Sequence, residues 1–188
     1  MDSSLCPVWT GANPEDNVHH GLRRATNSES WGEIFVNSPA LEFRIVDKIL
    51  EQPLAEFFRA LKRAGDDKHF HPHPLTKEEA KNRALYSGKD LYYVLAEGDL
   101  VLGYGMLRGW DEGYEVPSLG IAIHPSVRGM GLGKLFMHFL HAVARRRGSS
   151  KVRLKVYPDN TAAVTLYEGL GYTFQAEGAG QLVGFFDL

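Results

Sequence analysis

Three alternating glycines, Gly129, Gly131 and Gly133, lie between an apolar run, Ile121-Ala-Ile-His124, and a segment whose Leu132, Leu135, Phe136, Phe139, Leu140 and Val143 recur at helical spacing. The chemistry this arrangement offers is anion binding. A helix start presents up to four unpartnered N–H donors and roughly half a positive charge, so backbone alone can hold a pyrophosphate if no Cβ blocks its approach. The glycines remove those Cβ atoms. Their G-x-G-x-G spacing is neither the dinucleotide turn G-x-G-x-x-G nor the loop G-x-x-x-x-G-K-[ST], because Leu135 follows Lys134.

A second constellation lies downstream in Tyr157-Pro-Asp-Asn-Thr-Ala-Ala-Val-Thr-Leu-Tyr-Glu-Gly-Leu-Gly-Tyr172. Asp159 or Asn160 caps a short helix that turns Ala163, Leu166 and Leu170 inward and ends at Gly171, which fixes the height of Tyr167. Together the segments resemble the GNAT superfamily of N-acetyltransferases. Arg128-Gly-Met-Gly-Leu-Gly133 is similar to the R/Q-x-x-G-x-G/A acetyl-coenzyme A motif, Ile121-Ala-Ile-His-Pro125 to the motif strand and its exit, and Asn160–Tyr172 to N-x-x-A-x-x-L-Y-E-x-x-G-F/Y.

That resemblance implies acetyl-CoA as co-substrate. It is held by Ile121, Ala122 and Ile123, by the cradle Arg128, Gly129, Met130, Gly131, Leu132, Gly133 and Lys134, and by Asn160, Ala163 and Tyr167. It also implies that the motif strand splays from the strand Val152–Tyr157, whose Val152, Leu154 and Val156 point in and Arg153 and Lys155 out, and that the thioester arm enters the gap. Gly120 is a candidate for a bulge redirecting the motif strand, or for a packing glycine. Tyr167 takes the family role of general acid toward the departing thiolate, against the alternative of a core tyrosine packing its helix. Family members often carry a Glu or His base on the motif strand; those positions fall near Pro117 and Leu119, neither of which takes a proton. Glu115 is the nearest candidate base, with water as its rival.

Two segments are candidates for acceptor recognition. Trp110-Asp-Glu-Gly-Tyr-Glu115 sets three carboxylates between two aromatics and suits a cationic amine or the face of a sugar, with Trp110 and Tyr114 as contacts. His69-Phe-His-Pro-His-Pro74 offers His71 and His73 as pocket lining, and no metal is expected because no second ligand cluster accompanies the histidines. The expected reaction is acetylation of a primary amine of a small molecule, favouring an amino sugar or nucleotide-linked amino sugar, by direct transfer in a ternary complex. The alternatives are a protein N-terminal acetyltransferase of the ribosomal-protein alanine type and a non-catalytic acyl-CoA-binding module.

The elements that must position these residues follow from pattern. Phe43–Leu50 reads as a first strand, and Pro53 opens a helix with Leu54, Phe57, Phe58 and Leu61 on one face, closed by Gly65. Thr76-Lys-Glu-Glu79 is a capping box that starts a second helix through about Tyr86. Leu91–Ala96 and Leu100–Leu107 flank Glu97-Gly-Asp99 as a hairpin. The implied fold is α+β: a central, mostly antiparallel twisted sheet of about six to seven strands, splayed at the cofactor site and flanked by about four helices.

Composition is consistent with this. With 188 residues, 44% hydrophobic, the chain is expected to form a single N-acetyltransferase domain over 39–188 behind an extension of unclear structure over 1–38. A net charge of −2 lacks the basic field of nucleic-acid binders, and Arg145-Arg146-Arg147 reads as a complement to a helix C-terminus. The single cysteine, Cys6, excludes an internal disulfide, and no apolar run reaches the length of a membrane span. The expected setting is cytoplasmic, with a small-molecule amine as partner, no nucleic acid, no membrane, and a homodimer as the candidate assembly.

Overall fold

A computed structural model describes residues 40–177 and 180–188; the extension expected over 1–38, Cys6 included, lies outside them. Seven strands form one sheet in the order β1-β2-β3-β4-β5-β7-β6: β1 Leu41–Ile45, β2 Leu91–Glu97, β3 Leu100–Arg108, β4 Ser118–Ile123, β5 Lys151–Val156, β6 Thr173–Glu177 and β7 Gln181–Asp187. Every neighbouring pair is antiparallel except β4 and β5. Four α-helices flank it: α1 Glu51–Arg63, α2 Lys77–Ala84, α3 Leu132–Arg146 and α4 Thr161–Leu170.

The alternation of the strands divides the core between the two faces. Val94, Tyr104, Met106 and Ala122 join Leu54, Phe57, Phe58 and Leu61 of α1 and Ala80 of α2 on one face. Leu95, Leu107, Leu119, Val152 and Leu154 pack on the other face with Phe136, Met137 and Leu140 of α3 and Tyr167 of α4. Close seating of α3 depends on Gly105, where an added Cβ would lie 2.8 Å from Phe136 Cζ.

Several local expectations are corrected. The run Phe43–Leu50 is not one strand: β1 ends at Ile45, and the Asp47 carboxylate accepts from Ile49 N (3.0 Å) and Leu50 N (3.3 Å), turning the chain into a 3-10 helix, Lys48–Leu50, that leads into α1. The second helix stops at Ala84 rather than Tyr86; its start is as expected, with Thr76 Oγ1 accepting from Glu79 N at 3.1 Å. The buried stripe of α3 is Phe136, Met137, Leu140, His141 and Ala144, and Leu135 is exposed. The β3–β4 register runs unbroken from Gly103↔Ile123 to Arg108↔Ser118, so Gly120 forms no bulge there; an added Cβ would sit 3.4 Å from Met106 Cγ. Among the described residues, no helix is long and apolar enough to cross a membrane.

Candidate active site

The parallel strands β4 and β5 meet only at their first rungs. Ser118 pairs with Arg153, the Arg153 N–H donates to the Pro117 carbonyl at 3.1 Å, and no further rung follows. Beyond that point the direction of the β4 amides is set by its other neighbour. His124 N donates to the Leu102 carbonyl at 2.8 Å, and the alternation of an antiparallel ladder therefore turns the backbone groups of Ala122 and Gly120 toward β3. Those of Leu119, Ile121 and Ile123 face the gap. The strands thus leave an edge inside the sheet, open to an extended guest that can bond as a strand would.

The glycine turn closes the far end of this gap. After a 3-10 turn, Pro125–Val127, Gly129 (φ 77°) and Gly131 (φ 82°) are left-handed, and α3 begins with Gly131 as its cap. Nothing lies within 4 Å of a Cβ built on either glycine, so positive φ rather than crowding demands the residue type in the chain alone. The first bond in the turn of α3 runs from Leu135 N to the Gly131 carbonyl (3.1 Å), which leaves the amides of Leu132, Gly133 and Lys134 ahead of it. Arg128 braces this turn: its Nε donates to the Ile123 carbonyl at 3.1 Å and its guanidinium pairs with Asp66.

A cavity of about 340 Å³ follows the gap. Of the expected cofactor contacts it is lined by Ile121, Ala122, Ile123, Arg128, Gly129, Leu132, Gly133, Asn160, Ala163 and Tyr167. Met130, Gly131 and Lys134 do not line it, and Met130 is 70% exposed. Asn160, not Asp159, caps α4, its Oδ1 accepting from Ala163 N at 3.3 Å. Tyr167 is buried against Tyr172 with ring centroids 5.7 Å apart, and desolvation pushes its pKa up to about 12. Its hydroxyl is therefore protonated across the physiological range, and it lines the cavity.

A second cavity, about 400 Å³, shares His69, Phe70, Leu119, Gly120 and Lys155 with the first, so the two meet beside the splay. His71 and Tyr114 line it, and the Tyr157 hydroxyl lies 3.1 Å from His71 Nε2. Three expected residues line neither cavity. His73 lies beneath the sheet face, its Nε2 3.1 Å from the Tyr104 hydroxyl, and burial lowers its pKa. Trp110 carries the Arg147 guanidinium over its ring at 4.3 Å. Glu115 is exposed, and its carbonyl accepts from Ser149 Oγ at 3.4 Å. Asp111 in the same loop is taken up by the Tyr86 hydroxyl and by Lys89 N at 2.7 Å. The three histidines of 69–74 turn to separate partners, and among the described residues no group of three or more His, Cys, Asp or Glu could hold a metal ion.

Where the cavities meet stands a pair that motif reading did not assemble: His69 Nε2 donates to Asp159 Oδ1 at 3.0 Å. Hydrogen bonds from Lys68 and His69 hold the Asp159 carboxyl down to about 2, so it is an ionised, acceptor-only partner. In the neutral ring this places the hydrogen on Nε2 and the lone pair on Nδ1.

Residues 53–172 match the model of the acetyltransferase (GNAT) family. The chain belongs to the GNAT family. It is 38% identical over 90 residues to a mycothiol acetyltransferase of Geodermatophilus obscurus, a match covering 45% of this chain and 29% of that protein. The chain spans less than two thirds of the length of the curated relatives it matches. Among solved structures it resembles the GNAT domain of S. lividans PAT (TM-score 0.69, 16% identity, 79% of this chain and 90% of that one). It also resembles the PaiA N-acetyltransferase of Thermoplasma acidophilum in complex with coenzyme A (TM-score 0.64, 14% identity, 79% and 99%). At these identities the likeness establishes the fold.

Proposed function

We propose that this chain is an acetyltransferase that moves an acetyl group from acetyl-CoA to a primary amine of a small molecule within a ternary complex. The observation that carries the reading is the open inner edge of β4, whose outward amides run directly into a glycine-opened helix start. Ile121 and Ile123 would hold the extended arm of the co-substrate through backbone, and the first-turn amides of α3 its pyrophosphate. When bound, acetyl-CoA supplies an activated acyl thioester. A neighbouring cavity of about 400 Å³ suits a small acceptor.

The remaining chemistry is proton handling. An amine of pKa ~10.4 is mostly protonated near neutrality and must lose a proton before it can attack. His69, oriented by Asp159 at the junction of the cavities, is the acceptor we assign, in place of Glu115. Tyr167 donates to the leaving sulfur; its burial keeps the phenol protonated until a thiolate develops beside it.

The test is thiol release from acetyl-CoA across a panel of amino acids, amino sugars, nucleotide-linked amino sugars, polyamines and peptides with free N-termini. Release with at least one small amine supports the reading. Release with peptides alone identifies a protein N-terminal acetyltransferase, and tight acetyl-CoA binding without release from any amine identifies a non-catalytic acyl-CoA-binding module.

A further inference from the structure

Arg108 of β3, Ser118 of β4 and Arg153 of β5 are register partners, Arg108↔Ser118 and Ser118↔Arg153. They therefore stand in one row across three strands, on one face, with the two arginine Cα atoms about 10 Å apart from strand spacing. All three line the second cavity. Other cations near the site have carboxylate partners: Arg128 with Asp66, Lys68 with Asp159 at 2.8 Å, and Lys155 with Glu177 at 2.7 Å. Among the described residues, no carboxylate lies within 4 Å of Arg108 or Arg153, and Glu112, the one acidic residue lining this cavity, pairs with neither.

Both guanidiniums are nonetheless held in place. Arg108 Nη1 donates to the Pro72 carbonyl at 3.0 Å, and Arg153 lies over the Tyr114 ring at 5.6 Å. The Nε of each is buried and has no hydrogen-bond partner. Two like charges, partly desolvated, fixed in one row and without a carboxylate partner among the described residues, are costly when the cavity is empty. A guest that brings an anion removes that cost, and the planar guanidinium fork matches an oxyanion.

Building on the transferase reading of this site, we propose that the acceptor amine also carries an oxyanion, a carboxylate or a phosphate, seated on Arg108 and Arg153 with Ser118 between them. The amine then lies toward Gly120 and His69, where the cavities meet. This sets aside polyamines and uncharged amino sugars and retains amino acids, phosphorylated amines and amino sugars linked to a nucleotide through phosphate.

The test uses matched amines that differ only in the anion: glucosamine against glucosamine 6-phosphate, ethanolamine against phosphoethanolamine, and phenethylamine against phenylalanine. Wild-type kcat/KM is expected to be at least about tenfold higher for the anionic member of at least one pair, and the pair that responds distinguishes phosphate from carboxylate. Arg108→Met and Arg153→Met are expected to raise KM for that member by about tenfold and to abolish the wild-type preference for it over its neutral partner, with acetyl-CoA affinity unchanged. A wild-type preference for the neutral member of every pair overturns the proposal, even if either variant fails to fold, and so does an equal loss on both members. Calorimetric titration of the anionic amines into the apo chain separates this from failure of the transferase reading. Binding that the arginine variants lose, with no thiol release from any amine, keeps the anion site and removes the transferase. Thiol release with no binding of any anionic amine does the reverse.

Discussion

The two cavities are built from different materials. The one along the β4–β5 gap offers backbone for recognition: outward amides of Ile121 and Ile123, the left-handed Gly129, and the first turn of α3. Its neighbour offers side chains, with Arg108, Arg153, His69, His71, Glu112 and Tyr114 converging from three separate stretches of chain. A backbone site recognises what is common to every turnover, because amides cannot be exchanged by substitution. A side-chain site can be retuned one residue at a time. Under the proposed assignment cofactor and acceptor recognition are separable, and mutations on the two sides should split between acetyl-CoA affinity and acceptor KM.

The sharpest attempt to break that division is at Tyr167, which lines the gap cavity and which we propose acts through its side chain. Tyr167→Phe keeps the ring packed against Tyr172, so stability and acetyl-CoA affinity should hold while kcat falls by about 10²–10⁴. Steady-state kinetics with a good acceptor, alongside calorimetry, checks this. Near-full turnover would make Tyr167 a packing residue and leave water to protonate the thiolate.

His69 lies on the boundary and should affect rate rather than either binding step. His69→Gln is expected to lower kcat by about 10²-fold, with acetyl-CoA affinity and melting temperature unchanged. A variant that loses stability or acetyl-CoA affinity along with rate, or that keeps near-full turnover, would assign His69 to structure, as a partner of Asp159 only.

How much of this was legible follows from the same contrast. The glycine turn ahead of α3, the cap and stop of α4, and the order of the elements could be read directly, because each is a local pattern whose meaning lies in neighbouring residues. The acceptor side could not. His73 and His71 are two residues apart, yet one hydrogen-bonds beneath the sheet with Tyr104 and the other opens into the cavity. Asp111 and Glu115, chosen for their charge, are turned away by the Tyr86 contact and by exposure. One usable signal was present: the alternation of β5 places Arg153 and Lys155 on the face opposite Val152 and Leu154, and that outer face is the cavity wall. Recognising it requires the β3–β4–β5 register, which no local pattern contains.

Each half also holds a histidine whose pKa is lowered by burial, His73 beneath the second cavity and His141 on the buried face of α3. His141 Nε2 lies 2.7 Å from the Tyr172 hydroxyl, and its pKa is lowered to about 4, first by burial and then by His138 and Arg145. An ordinary histidine in the unfolded chain binds its proton below about 6.5, so between pH 6.5 and 4 the unfolded state holds more protons and stability falls as pH drops. The loss is expected to reach about 2–3 kcal/mol for this group, and His141→Gln should flatten that part of the profile in thermal melts. Identical acid profiles for the variant and the wild type would remove His141 from the account.

The central claim is that backbone donors at a glycine-opened helix start hold the co-substrate, and calorimetric titration of acetyl-CoA into the Gly129→Asn variant tests it most directly, because Gly129 lines the cavity. Asparagine tolerates the left-handed conformation found at Gly129 (φ 77°), and its side chain enters space that is open in the chain alone. The fold should therefore survive, with a melting temperature close to wild type. Acetyl-CoA affinity is predicted to fall by at least about tenfold while the acceptor KM, set on the side-chain half, stays unchanged. A folded variant that binds acetyl-CoA as tightly as the wild type would contradict the claim.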